Sequence, residues 1–348
     1  MRLSRQVLNR TLLHRQHLLE RVDSTPAEMA GHLIGLQAQD NLPPYLSLAA
    51  RLTEFDPYDV SRGLEDKTLV RLLVMRGTIH LLTRDDALTL RRWTRPVHDR
   101  EIKVSQSIGS TREIDRDSFD TALSEVLADG PLAQKALGLA LAERFPAYPP
   151  TQLGQLARST QPLAQLPPRG TWWGSGGVVY QRVDRWLGVD LVGPDPAVIV
   201  RRYLRAFGPA SAADVTTWSG VTGLAPLLKG MDDLVRHEDE NGKVLYDLPD
   251  AAIADGDVPA PVRLLGYYDN VWLSHAGRDR VTEPEKRKAQ QGPNGSGAAA
   301  ILVDGWLEGL WRVDDGHVEV VTLMRKLTGA ERAELDEEIA RVEALLAL

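Results

Sequence analysis

The stretch LVRLLVMRGTIHLLT, residues 69–83, is apolar and rich in β-branched residues on both sides of Gly77. That composition describes two short strands meeting at a turn. What precedes it decides the fold. Residues 5–22, RQVLNRTLLHRQHLLERV, carry Val7, Leu8, Leu12, Leu13, Leu18 and Leu19 near helical spacing. DSTPAEMAGHLIGLQ follows, with Ser24 or Thr25 as N-cap, Pro26 at the first helical position and Glu28 placed for a capping box. This second helix is expected to stop near Leu36. DPYDVSRGLEDKT opens a short third helix at about Pro57. Three helices followed by a hairpin is the order of a winged helix.

The pattern recurs along the chain. DRDSFDTALSEVLAD, LAQKALGLALAERF and PTQLGQLARSTQPL predict three further helices, and the Gly-rich LAQLPPRGTWWGSGGVVYQRVD predicts a strand pair. Arg76-Gly77-Thr78 returns as Arg169-Gly170-Thr171 at the corresponding place after the third helix. A third unit is read from DPAVIVRRYLRAFG, SAADVTTWSG and GLAPLLKGM, closed by a hairpin for which Asn241-Gly242 is the expected two-residue turn. Beyond Val262 the texture becomes β-type, with Asp-Gly turns and a final helix, TGAERAELDEEIARVEALLAL. The expected class is α+β: three tandem winged-helix motifs over 1–112, 113–193 and 194–256, and a small antiparallel β domain with a terminal helix over 257–348.

Composition narrows the function. The chain has 348 residues, 43% of them hydrophobic, and no cysteine, so disulfides and thiolate zinc sites are excluded. The eight histidines lack metal-ligand spacing, and no metal is expected. No long apolar run suggests a membrane span, and arginines interrupt the N-terminus too often for a signal peptide, so a cytoplasmic location is expected. There is no P-loop, no dinucleotide fingerprint after a strand and no G-x-S-x-G elbow, so no cofactor is expected and covalent acyl chemistry is disfavoured. The net charge of −7 argues against a polyanion partner until its distribution is considered. Basic residues gather in RRWTRPVHDR, RRYLR and GRDRVTEPEKRKAQQ, the last inside a long Gly-rich loop, while acidic residues gather elsewhere. One basic face on an acidic protein fits a nucleic acid.

HLIGLQAQD followed by LPPYLSLAARL, then VRLLVMRGTIHLLTRDDA, and later VRLLGYYDNVWLSHAGRDRV and ILVDGWLEGLWRV together resemble the winged-helix DNA glycosylase family typified by AlkZ and YcaQ. The similarity spans nearly the whole chain. The resemblance implies a C-shaped arrangement around a DNA channel and removal of bulky or cross-linking alkylated purines from double-stranded DNA. It also implies an active site at a Gln-aliphatic-Gln motif, which here is Gln37-Ala38-Gln39, so the catalytic candidates are Gln37 and Gln39. Self-resistance to a natural-product genotoxin is part of that expectation, as is association with the nucleoid when bound. Three motifs already enclose a duplex-sized surface, so a monomer is expected.

Glutamine has no titratable proton, yet it suits such a reaction. A purine alkylated at N7 is cationic and departs as a neutral base, so the sugar needs a positioned water more than a strong base. An amide can accept from water through its oxygen and donate through its nitrogen. A flat pH profile around neutrality follows. Residues i and i+2 share a face only in extended chain, so the backbone at Gln37-Ala38-Gln39 is expected to be non-helical, and Pro43-Pro44 is compatible with an extended exit.

For DNA contact the candidates are Arg278, Arg280, Lys286, Arg287 and Lys288, with Arg76 and His80 beside the first turn. Each has a plainer reading: a solvated basic loop, a structural arginine matched by Arg169, and a hydrogen-bonded histidine in an apolar strand. Trp172 and Trp173 suit either a base-stacking role or a core. The competing function is a non-enzymatic winged-helix transcription regulator, in which the two glutamines are merely polar.

Overall fold

The computed structural model describes residues 1–290 and 299–348; the end of the basic loop, 291–298, lies outside the described residues. The chain begins with β1 (Arg2–Leu3) and α1 (Arg5–Arg15). A first unit follows as α2 (Pro26–His32), β2 (Leu36–Gln37), α3 (Leu42–Ala49), α4 (Pro57–Glu65), β3 (Leu69–Leu73) and β4 (Ile79–Thr83). Helices α5 (Arg84–Trp93) and α6 (Arg95–Val104) lead to a second unit: α7 (Arg116–Val126), β5 (Leu132–Ala133), α8 (Gln134–Arg144), α9 (Pro150–Thr160), β6 (Leu163–Gln165) and β7 (Val179–Arg182). After α10 (Val183–Leu187), the third unit comprises α11 (Pro196–Phe207), α12 (Ala212–Ser219), α13 (Ala225–Lys229), β8 (Val235–Asp239) and β9 (Val244–Asp247). The last segment holds β10 (Arg263–Leu265), α14 (Asn270–Leu273), α15 (Pro284–Gln290), β11 (Ala299–Val303), β12 (Trp306–Asp314), β13 (His317–Leu323) and α16 (Gly329–Leu346).

Both of the first two units therefore run helix, strand, helix, helix, strand, strand. In each, the short first strand pairs antiparallel with the last: β2 with β4 and β5 with β7. In the third unit the first strand shrinks to one bridge between Ala210 and Tyr246 of β9. The strand pairs of the first two units meet through β3 and β6, giving one six-stranded sheet ordered β2-β4-β3-β6-β7-β5. The last segment forms a four-stranded antiparallel sheet whose Asp304-Gly305 and Asp315-Gly316 turns have positive φ at both residues, as two-residue hairpin turns require.

Two sequence readings are corrected. The first unit is built from α2, α3 and α4 rather than from α1, α2 and α4. The proline pair opens α3 instead of extending the chain, because first-turn N–H groups have no intrahelical partner to lose. Helix α1 ends at Arg15, well short of Val22, and binds elsewhere. Its Arg15 makes a buried two-point ion pair with Asp247 of β9, at 2.8 Å for each oxygen. Its Asn9 donates to the carbonyls of Arg280 and Gly305. The N-terminal helix thus joins the third unit to the C-terminal sheet.

Candidate active site

Helix α2 starts with the Thr25–Glu28 capping box and stops at His32, four residues before the expected end. The chain reverses through Ile34 at φ 54° and Gly35 at φ 98°. A Cβ on Gly35 would lie 2.5 Å from the Leu82 side chain, so this turn needs glycine for space as well as for conformation. The reversal delivers Leu36 opposite Leu81 and Gln37 opposite His80. The ladder continues with the Ala38 N–H donating to the Ile79 carbonyl at 2.7 Å. The segment is non-helical as expected. Ala38 is fully buried in the core, which turns the side chains on either side of it to the opposite face.

Gln37 is 7% exposed, and its Oε1 accepts from Arg76 Nη2 at 2.9 Å. The same nitrogen lies 3.1 Å from His80 Nε2, while Arg76 Nη1 donates to the Trp218 carbonyl. His80 Nδ1 lies 3.0 Å from the Thr78 carbonyl, so this nitrogen carries the proton and Nε2 accepts from the guanidinium. Burial, reinforced by the Arg76 charge, pushes the His80 pKa down to about 3, and the imidazole is neutral at physiological pH. Burial and the nearby Arg278 lower Arg76 to about 10, which leaves it protonated. Arg76 adopts φ 55° and Gly77 φ 68°, a tight left-handed turn that points the guanidinium back over β2.

Gln39 is exposed, and its Oε1 accepts from the Ile79 N–H at 3.3 Å. Both amides are therefore oriented by protein donors: each oxygen has one lone pair engaged, and among the described residues neither nitrogen meets an acceptor. The site grades from a buried amide at Gln37 to a solvent-facing one at Gln39.

Three supports, none evident from sequence spacing, fix the strand. Arg71 Nη2 donates to the Ala38 carbonyl at 2.8 Å. Asn270, at the start of α14, donates to the Gly35 carbonyl at 3.0 Å. Beside it, Asp269 forms a fully buried two-point ion pair with Arg51, both contacts 2.8 Å, and also accepts from Ser47. The C-terminal segment thus clamps the first unit directly behind the glutamines. The Arg-Gly-Thr repeat does not repeat a role: Arg76 contacts Gln37, whereas in the second unit it is Gly170 that packs on Arg71, where a Cβ would come within 2.3 Å of the arginine side chain.

The basic cluster divides. Arg280 is buried and donates to the Pro209 carbonyl at 2.7 Å. Lys286 pairs with Glu308 at 2.7 Å. Arg278 is partly buried, and its pKa is lowered to about 10 by burial and then by the neighbouring Arg287. Arg278 is also the charge felt by Arg76, which brings it into the electrostatic field of the glutamine site. Lys288 is exposed on α15 and Arg287 partly so. One guanidinium nitrogen each of Arg278 and Arg280 is buried without a partner among the described residues.

Comparison with known proteins bears on the family and the fold. The family model described as DNA glycosylase AlkZ-like matches residues 30–345. A curated relative from Streptomyces sahachiroi, an interstrand DNA cross-link repair glycosylase, is 26% identical over 337 residues, covering 88% of this chain and 87% of its own. The solved structure of Streptomyces sahachiroi DNA glycosylase AlkZ superposes with a TM-score of 0.81 at 22% identity, over 100% of this chain and 98% of that one, a likeness of fold. A family match extending from α2 to α16, across three successive strand–helix units and the C-terminal segment that clamps the glutamine strand, leaves one conclusion: this chain belongs to the AlkZ-like DNA glycosylase family.

Proposed function

We propose that the protein hydrolyses the N-glycosidic bond of N7-alkylated guanine in duplex DNA, bulky and cross-linking adducts included, and leaves an abasic site with no lyase step. Resistance to a genotoxin that alkylates DNA is the biological role this reading implies. The observation that carries it is positional. The first strand recurs in all three units, yet it holds Gln37 opposite His80 only in the first; the paired residue is Ala133 opposite Val179 in the second and Ala210 opposite Tyr246 in the third. An amide that the architecture does not need, oriented by a largely buried arginine, is better suited to a reaction than to folding.

In this reading the cationic purine departs as a neutral base, so no acid is required of the protein. Oxocarbenium character develops at the sugar. The free lone pair on each glutamine oxygen and the unengaged amide N–H groups hold a water on the face opposite the base. Arg76 and the Ile79 N–H prevent either amide from flipping, so the water meets a fixed array. His80 acts on the site only through Arg76. Arg278, Arg287 and Lys288 hold the DNA backbone, while Arg280 and Lys286 support them from the protein side. The curated relative is named for interstrand cross-link repair, which supports extending the substrate range from monoadducts to cross-links.

Incubating the protein with N7-methylguanine duplex and with a cross-linked duplex, then heating in alkali, tests the reading. Strand scission at the lesion is expected. Intact strands from every alkylated substrate, alongside tight sequence-selective binding, would establish the regulator instead.

A further inference from the structure

Two residues beyond Gln39 a separate pocket opens. It has a volume of about 240 Å³ and is walled by Asn41, Tyr45, Thr171, Trp172 and Trp173. Four rings form a ladder leading out of the core: Phe55 to Tyr45 at 6.4 Å, Tyr45 to Trp172 at 4.8 Å, and Trp172 to Trp173 at 4.6 Å. The ladder ends at the surface. Trp172 is 6% exposed and anchored by its backbone N–H, which donates to Ser61 Oγ at 2.8 Å, whereas Trp173 is 59% exposed. Trp173 also sits at φ 51°, a conformation that bulky residues rarely adopt. An indole held outward in a strained backbone, with a ring already against one face, offers its remaining surface to a further ring.

Two of the lining residues also carry a polar atom shielded from solvent. Asn41 occupies the N-cap position of α3 but makes no side-chain cap bond, and its Oδ1 is buried without a partner. Trp172 Nε1 is likewise buried and unpartnered. A pocket bordered by an aromatic ladder suits a flat ring. The pocket is also mechanically tied to the glutamines. Tyr45 donates to the Gly170 carbonyl at 2.7 Å, Gly170 packs on Arg71, and Arg71 holds the Ala38 carbonyl.

The geometry points to an aromatic-ring subsite beside the glutamine strand, in which Trp173 stacks on a flat ring attached to the DNA. The inference rests on the glycosylase reading for the nature of the ligand. The ring belongs either to the alkyl group of a bulky adduct or to a base flanking the lesion; both present the same chemistry to the pocket.

Binding of non-hydrolysable 2′-fluoro duplexes carrying N7-methylguanine or N7-(hydroxybenzyl)guanine, followed by fluorescence anisotropy, tests it. A single stacking contact is worth about 1–3 kcal/mol, so Trp173→Ala should weaken binding about fivefold or more. Trp173→Phe, which keeps a ring, should restore most of the loss. A loss confined to the hydroxybenzyl duplex assigns the subsite to the adduct, and an equal loss for both assigns it to a flanking base. Unchanged affinity for both duplexes overturns the subsite. Because affinity is read without excision, that result is distinct from failure of the glycosylase reading, which would appear as wild-type protein releasing no base from ordinary N7-methylguanine duplex.

Discussion

Arg76 Nη2 stands 2.9 Å from Gln37 Oε1 and 3.1 Å from His80 Nε2, so one guanidinium nitrogen orders an amide and an imidazole together. Its other nitrogen is tied to the Trp218 carbonyl of the third unit. A lysine keeps the charge but has no planar fork with which to hold these partners. Arg76→Lys is therefore expected to slow single-turnover excision by about tenfold to a hundredfold, the range for losing a partner that orients an acting group without touching the reacting atoms. Equilibrium binding of undamaged duplex should change far less, since this guanidinium faces protein acceptors; a loss of binding equal to the loss of rate would show that it holds phosphate.

Gly35 is the hinge that turns the chain from α2 into the glutamine strand. Gly35→Ala meets both the positive φ and the Leu82 side chain. A destabilisation of about 1–3 kcal/mol is expected from urea unfolding. Excision should fall beyond what the unfolded fraction explains, because Gln37 is only two residues away.

The pH response should separate chemistry from folding. Burial lowers His80 to about 3, His98 to about 2 and His17 to about 4. A depressed histidine pKa means that the unfolded chain binds the proton first. The contribution to stability is thus complete above about pH 6.5 and is lost progressively as the pH falls from there toward the folded value. At pH 5 a deeply buried histidine such as His80 removes on the order of 2 kcal/mol. Excision, by contrast, should stay flat from about pH 6.5 to 9, since the proposed site has no group titrating there. A bell-shaped profile in that window would require an acid or base that this account does not contain.

The Arg51–Asp269 pair joins the first unit to the C-terminal segment with both side chains fully buried. Removing one partner leaves an uncompensated charge, so Asp269→Asn should cost about 3–5 kcal/mol. Arg51→Met combined with Asp269→Asn should recover part of that loss. Chemical denaturation of the two variants provides the comparison.

On the basic helix the expected effects differ by residue. Arg287→Gln and Lys288→Gln should each weaken duplex binding and reduce the salt slope by about one unit, the signature of one lost phosphate contact. Lys286→Gln should do less, because Lys286 already pairs with Glu308. Equal slopes for all three would show that the lysine leaves Glu308 on binding.

Much of this was legible in the chain itself. The capping box at Thr25–Glu28, the hairpin around Gly77 and the three helices of the second unit all carry local signals that tertiary contacts did not override. The hairpin of the third unit, by contrast, turns over three residues, 240–242, with positive φ at Gly242 and not at Asn241, instead of through a two-residue Asn-Gly turn. The extended backbone at Gln37 followed from the need to place two amides on one face. Helix α3 was hidden because proline reads as a breaker although it is tolerated in a first turn. The destination of α1 was hidden because its amphipathic pattern says that a face is buried without saying against what. Arg71, Asn270 and the Arg51–Asp269 pair lie far from Gln37 in sequence and reach its strand only through the sheet and the C-terminal segment. Charge grouping alone could not separate Arg280, bonded within the protein, from Lys288, which is exposed.

Gln37 and Gln39, as proposed above, act on the reaction rather than on the fold. Single-turnover excision of N7-methylguanine from duplex DNA by Gln37→Ala and Gln39→Ala, with duplex affinity and unfolding midpoint measured on the same preparations, tests it most directly. Excision should fall by about a hundredfold or more, while affinity and midpoint remain near those of the wild type. Full activity in both variants would contradict the account.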